Sequence, residues 1–367
     1  GYLTESLSMK RTVHGPGAHS KVARTLQSLG ELCREKGDLK AAEMYLTEAL
    51  SMKRTVHGPG AHSTVAVTLH SLGELCRAKG DLEAAEKHLT ETLSMYRTVH
   101  GPGADSEVSD TLHSLGILCR AKGELEAAEV YLTESLSMDR AVPGPGAHRD
   151  VAVTLHSLGE LCKETGDLEA AEGYFTESLS MKRTVHGPGA HRDVAVTLRS
   201  LGVLCKEKGD LEAAEKHLTE SMSMQRTVHG PGTHRSVAVT LHELGELCEE
   251  KGDLEAAERH FTESMSIQRT VHGPGAHRDV AVTLHSLGEL CKEKGDLEAA
   301  EGYFTESLSM QRTVHGPGAH RDVAVTLHSL GYLCIVKGDL QAAGGYVKET
   351  LSWLRSRDGP ADDRGVG

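Results

Sequence analysis

The residues best suited to chemistry come in sets that recur. His156, Glu160 and Lys163 stand four and three apart, so on a helix they share one face. The set returns as His70, Glu74, Arg77 and as His285, Glu289, Lys292. Reduced versions are His113 with Arg120, Arg199 with Lys206, His242 with Glu246, and His328 with Tyr332. An imidazole four residues before a carboxylate supplies two metal donors, fewer than a zinc site needs, so no metal set is assigned. Eight cysteines recur in the same way, with no Cys-x-x-Cys among them. His57 and His62 bracket a Gly-Pro-Gly-Ala turn and could hold a metal weakly, but turn chemistry alone explains the Gly and Pro. That segment is not a phosphate loop, because no Gly-x-x-x-x-Gly-Lys is present. Every Ser, His and Asp that might build a nucleophile–base–acid set recurs with its neighbours, whereas a catalytic site is usually singular. No catalysis and no cofactor are expected.

What positions these residues is a strict period. Pro16, Pro59, Pro102, Pro145, Pro188, Pro231, Pro274 and Pro317 advance by 43 residues, as do Cys33, Cys76, Cys119, Cys162, Cys205, Cys248, Cys291 and Cys334. Such a period marks a tandem array, not a single core. In one unit, Val194, Leu198, Leu201, Leu204 and Cys205 fall at steps of three and four, which is an amphipathic helix. Asp193 is read as its cap and Gly209 as its end. Asp210 caps a second helix whose stripe is Leu211, Ala214, Leu218, Met222 and Val228. Gly230-Pro231-Gly232 stops that helix, since proline cannot continue it. One hairpin buries too little apolar surface to offset about 1–2 kcal/mol of ordering per residue. Neighbouring copies must supply the rest. Gly202 and Ala214 are small enough to let the two helices approach closely. Equivalent cysteines then lie at least a helix spacing of about 8–10 Å apart, beyond disulfide reach of about 7 Å. They are expected as small buried hydrophobes.

The run Leu198-x2-Leu201-Gly202-x2-Cys205, followed by Gly209, Ala214, Leu218 and Ser221, resembles the tetratricopeptide repeat. Phe175, Phe261 and Phe304 occupy that family's bulky slot, and Ala49 its small one. Leu stands for the first Trp, Cys for the Tyr, and the closing Pro is missing. The unit is nine residues longer than the 34-residue form. It is similar to the repeats of kinesin light chains and nephrocystin-type proteins, on the entry His186 to Ala195 and the segment Gly209 to Glu215. The resemblance implies an all-α fold: an α-solenoid superhelix of tandem helix-turn-helix repeats with the first helix of each lining a concave face. It further implies a protein-interaction scaffold that holds a peptide or partner helix in that groove, as the repeat region of a larger adaptor or sensor. The seventeen ladder residues named above become the candidate groove. Breaks in the ladder, at Gln27, Ile117, Arg199, Val203, Tyr332 and Ile335, are the expected specificity points. Kinesin light chains carry Leu-Asn-Asn-Leu in this helix, whereas Leu155-His156-Ser157-Leu158 stands here, so cargo recognition is not carried over. A kinesin-type cargo adaptor and a metal- or pH-responsive His-rich module remain as alternatives.

Composition bounds the partner. The net charge of −13 argues against nucleic acid or anionic lipid. No stretch is long and apolar enough for a membrane helix, and no signal peptide opens the chain. Unpaired cysteines fit a reducing, cytoplasmic setting. The 23 His would outweigh that charge if all were protonated, although most are read as solvated loop residues. Residues 1–13 match the second helix of a preceding repeat, which suggests a fragment. Residues 14–357 hold eight repeats, with the last helix as a cap whose Trp353 could cover the exposed end of the core or anchor a partner, and 358–367 are read as a flexible tail.

Overall fold

The computed structural model describes residues 2–14, 17, 19–58, 60–101, 106–142, 145–187, 189–230, 234–316 and 320–357. The side chains of His14, residues 145–147 and residues 353–357 are not described. Most of the Gly-Pro-Gly segments, the Trp353 side chain and the tail at 358–367 therefore lie outside the described residues. Those that are described form helices and no strand. They run α1 (Tyr2–His14), α2 (Ser20–Glu35), α3 (Leu39–His57), α4 (Ser63–Lys79), α5 (Leu82–His100), α6 (Ser106–Lys122), α7 (Leu125–Ala141), α8 (Pro145–Thr165) and α9 (Leu168–His186) in a first compact unit, Gly1–Gly187. The second unit, Pro188–Gly367, holds α10 (Arg192–Glu207), α11 (Leu211–His229), α12 (Arg235–Glu250), α13 (Leu254–His272), α14 (Arg278–Glu293), α15 (Leu297–His315), α16 (Arg321–Lys337) and α17 (Leu340–Arg357). Even-numbered helices are the A helices of each hairpin and odd-numbered ones the B helices. Each unit is an all-α solenoid of stacked hairpins.

Local chemistry sets the ends. Asp210 accepts the Ala213 N–H at 3.0 Å and starts α11, as Asp38, Asp81, Asp167, Asp253 and Asp296 do for their B helices. Gly209 turns the chain between helices at φ +80°, a conformation glycine adopts without a Cβ penalty. The A helices start differently from the expectation. Asp193 is not the cap of α10; His191 is, its Nδ1 accepting the Asp193 N–H at 3.2 Å. His19, His62, His234 and His320 cap their helices in the same way. Imidazole is an uncommon cap, but its Nδ1 reaches the same orphan N–H that an Asn or Asp oxygen would.

The hairpin closes because glycine faces a large residue. A Cβ on Gly202 would stand 2.6 Å from Leu218, and one on Gly159 would stand 2.7 Å from Phe175. Leu218 and Phe175 are fully buried, each worth roughly 1.5–3 kcal/mol of transfer free energy. The hydroxyl of Ser221 donates to the Ala195 carbonyl at 2.7 Å, and Ser178 to Ala152 at 2.6 Å, stitching B to A at the small-residue slot. The stripe of α10 is buried as expected, but Val228 on α11 is 40% exposed, because the last turn of the B helix runs past the packed core. Within each unit, consecutive A helices approach within 8 Å, Cα to Cα, while consecutive B helices do not. Each unit therefore curves toward its A side and opens grooves between B helices. One such groove, of about 840 Å³, lies between α11 and α13.

Candidate functional site

The candidate residues lie on the A helices, but they are less open than a solvated face. In the first unit His70, Glu74, Arg77, His113, Arg120, His156, Glu160 and Lys163 are all half-buried. A hydrogen bond of 3.1 Å joins His70 Nε2 to Ser114 Oγ, and one of 2.9 Å joins His113 Nε2 to Ser157 Oγ. These serines are the third residue of each Leu-His-Ser-Leu run. The run that replaces the kinesin-type amides thus ties α4 to α6 and α6 to α8. Arg77 pairs with Glu74 at 2.6 Å, and Arg120 reaches Glu164 at 3.6 Å. His156 lies 3.9 Å from Glu160 and packs its ring 5.3 Å from that of Phe175. Burial lowers the pKa of His70 and pushes that of His113 down to about 4, so the His113 imidazole stays neutral through mild acid.

The second unit repeats the theme with different partners. Lys206 bonds Glu246 and, at 3.3 Å, Glu243; His242 lies 3.2 Å from Glu246. His285 Nδ1 and Thr326 Oγ1 are 3.2 Å apart, and Glu289 takes hydrogen bonds from Lys292 and from Ser329 at 2.6 Å. Arg199 is half-buried on the same face. His328 and Tyr332 are exposed, with the Lys292 ammonium 5.5 Å from the Tyr332 ring centre. The structure therefore gathers the candidates along one face of each unit, but as a lattice of contacts between copies, not a row of free side chains.

Between these contacts a recess of about 340 Å³ opens in the first unit. Its walls carry five carboxylates, Glu31, Glu35, Glu74, Glu107 and Asp110, and one guanidinium, Arg34. Desolvation, then Asp150, Asp139 and Glu107, push Asp110 up to about 6. In the second unit, Glu249 is raised by burial and by Glu293, Glu246, Glu289 and Glu250 around it. Of the recess carboxylates, sequence reasoning singled out only Glu74. Glu35, Glu107 and Asp110 sit off the His–Glu–Lys spacing and join the face only through stacking.

Two further patterns were missed. One position of the B helix is buried against a threonine of the next A helix: Lys53 donates to Thr68 Oγ1 at 2.7 Å and to the Thr64 carbonyl at 2.8 Å, Asp139 accepts from Thr154 at 3.1 Å, and Gln225 accepts from Thr240 at 3.1 Å. Burial lowers Lys53 to about 8. The other pattern is a rim of ion pairs between successive B helices, such as Arg54–Glu91 and Arg226–Glu263, both 2.6 Å. An Arg and a Glu recurring 37 residues apart was the available signal. Among the described residues the cysteines form no disulfide, and they are buried or half-buried. Burial raises Cys119 to about 11 and raises Cys205's counterparts Cys162 and Cys291, which fits packing groups and not nucleophiles. Among the described residues no helix is long and apolar enough to cross a membrane.

Comparison with known proteins agrees with this architecture. A family model described as tetratricopeptide repeat matches residues 64–141, 107–184, 150–227, 193–270 and 236–313, and a second of that description matches 23–55. No curated protein matches the chain in sequence. A signal transduction ATPase with numerous domains and a tetratricopeptide repeat sensor, from Pyrococcus horikoshii, superposes with a TM-score of 0.66 at 15% identity, over 92% of this chain and 49% of that one. A Rap protein complexed with competence and sporulation factor gives 0.58 at 14% identity, over 80% and 76%. BtubC (BKLC) from P. vanneervenii gives 0.55 at 20% identity, over 65% and 94%. At these identities the likeness is one of fold.

Proposed function

This chain belongs to the tetratricopeptide repeat family, and we propose that it is a non-catalytic scaffold whose A-helix faces hold a basic peptide or partner helix. The observation that carries the reading is the crowding of carboxylates on those faces, with Asp110 pushed up to about 6 in one unit and Glu249 raised in the other. Like charges held together are relieved by a cation. A Lys or Arg side chain entering the recess beside Asp110 supplies one, and the net charge of −13 draws such a partner in from a distance. The half-buried His, Ser and Glu lattice keeps the A helices in register, so the receiving face is ordered before the partner arrives and less entropy is lost on binding. The Rap relative, alike in fold, is solved with a bound factor, which supports reading such a face as a receiving surface.

The test is charge reversal on recess residues that do not hold the lattice. Glu35→Lys with Asp110→Lys, in the full chain, is compared with wild type for binding a Lys/Arg-rich peptide set and a matched Glu/Asp-rich set by fluorescence anisotropy. Wild type should prefer the basic set, and the variant should lose that preference while keeping its helical circular dichroism. Equal binding by both proteins sinks the proposal.

A further inference from the structure

We propose that His315, His320 and Asp322 form a site for a zinc-class divalent cation in the second unit. Two elements bring them together. His315 is the last residue of α15, His320 caps α16, and Asp322 lies in its first turn. One donor atom from each lies within 4.8 Å of the other two. His315 Nε2 stands 3.6 Å, and His320 Nδ1 3.8 Å, from Asp322 Oδ2. Tetrahedral ligands about 2.1 Å from a zinc ion lie about 3.4 Å apart, so these two edges need close by only a few tenths of an ångström. Two imidazoles and a carboxylate suit Zn²⁺, Co²⁺ or Ni²⁺ over Ca²⁺ and Mg²⁺, which take oxygen shells.

A second observation points the same way. His315 Nε2 and Asp322 Oδ2 are buried, and neither has a hydrogen-bond partner. Unmatched buried polar atoms are unfavourable, and one cation satisfies both. The two imidazoles stack with centroids 3.3 Å apart and planes 10° from parallel. Ring lone pairs lie in the ring plane, so each ring turns about its Cβ–Cγ bond to meet a shared ion. The equivalent pair His272–His277 sits at 4.7 Å and 20°, so this corner of the repeat accommodates different ring placements. His320 Nδ1 accepts the Asp322 N–H at 3.3 Å, a long bond that coordination would displace.

The neighbouring copies grade the site. Arg278 Nε approaches Asp322 Oδ2 to 3.4 Å without a hydrogen bond, and its side chain is 64% exposed, free to swing away. One copy earlier, Arg235 hydrogen-bonds Asp279 Oδ2 at 3.0 Å and holds that carboxylate. One copy earlier again, Ser236 stands where the carboxylate would be, beside the stacked pair His229–His234. Of these three arrangements only His315, His320 and Asp322 offer all donors with the competing guanidinium loose.

The experiment is a Co²⁺ titration of the full chain, followed by visible absorption, with Zn²⁺ calorimetry alongside. His315→Phe, which keeps a stacked ring, and Asp322→Asn should each lose one equivalent, or bind it at least tenfold more weakly, with melting temperature in EDTA unchanged. Should His315→Phe fold poorly, His315→Gln replaces it. Arg278→Gln should bind the ion at least threefold more tightly, because a rival cation is gone. The same number of Co²⁺ ions on wild type and on the His315 and Asp322 variants overturns the proposal, as does an Arg278→Gln protein with unaltered affinity.

Discussion

His113 Nε2 and Ser157 Oγ, 44 residues apart, share a hydrogen bond of 2.9 Å between consecutive A helices. The bond is short-range in space and long-range in sequence. It makes a residue that looks like a solvent-facing ligand into part of the joint between two repeats.

Acid should therefore loosen this joint. Burial holds His113 down at about 4, whereas an unfolded histidine titrates near 6.5. Because the folded value is depressed, the stabilisation is complete above about pH 6.5 and is lost as pH falls through about 4. The full shift corresponds to about 3 kcal/mol. Urea denaturation at pH 7, 5.5 and 4.5 should show wild type losing stability along the series. His113→Gln, which does not titrate, should lose distinctly less. Identical pH slopes for the two proteins refute the assignment.

Glycine at the hairpin crossing is required at seven copies and dispensable at one. Gly202→Ala drives a Cβ to 2.6 Å from Leu218 Cγ and should destabilise by about 1–3 kcal/mol. At Gly331 the nearest atom is Tyr346 Cβ at 3.5 Å, an ordinary contact. Gly331→Ala should be neutral or stabilise by up to about 1 kcal/mol, since alanine favours the helix. Thermal melts of both variants decide it, and a Gly202→Ala protein as stable as wild type contradicts the packing.

Much of this architecture was legible in the sequence, for a stated physical reason. Helix, turn and stripe are local properties, so Leu198, Gly209 and Asp210 announce themselves within one repeat. Contacts between copies are not local. The recess carboxylates Glu35 and Asp110 come from different repeats, and neither lies on the His–Glu–Lys spacing that marked the A face. The cap was misread at Asp193 because its carboxylate is the commoner capping group, while His191 two residues earlier supplies the acceptor. The ladder was legible in position and not in environment, since burial of His113 depends on the neighbouring helix.

The B-helix position occupied by Lys53 should tolerate exchange for a neutral residue. Burial lowers Lys53 to about 8 from the usual 10.5. For a lysine with a depressed folded value, stability is present above the unfolded value and lost as pH falls through about 8, so at pH 7 the charge is a burden. Gln225, Gln268 and Gln311 occupy the same place in other copies. Lys53→Gln should raise stability by about 1 kcal/mol at pH 7, and the gain should shrink toward pH 10. Calorimetry across that range checks the sign; a destabilised Lys53→Gln protein at pH 7 would show that its bonds to Thr68 and Thr64 outweigh desolvation.

Binding of a basic peptide to the first unit should carry a pH signature of its own. Asp110 is raised to about 6 by desolvation and by Asp150, Asp139 and Glu107. In the free protein its stabilising share is fully present below the unfolded value near 3.9 and is lost as pH rises through about 6. The ionised form that costs the free protein is the form that attracts a Lys or Arg. A cationic ligand therefore draws the proton off, and affinity should rise several-fold between pH 5 and 7. Asp110→Asn should bind more weakly at pH 7 and flatten the profile. Added salt should weaken wild-type binding more than binding by the variant, because the lost interaction is electrostatic. Protonating an exposed imidazole at pH 5 also repels a cationic ligand and acts in the same direction, so the assignment rests on Asp110→Asn, which leaves every histidine in place; His113, held down at about 4 by burial, stays neutral over this range. A wild-type profile that is level from pH 5 to 7, or one that Asp110→Asn leaves unchanged, removes Asp110 from the binding face.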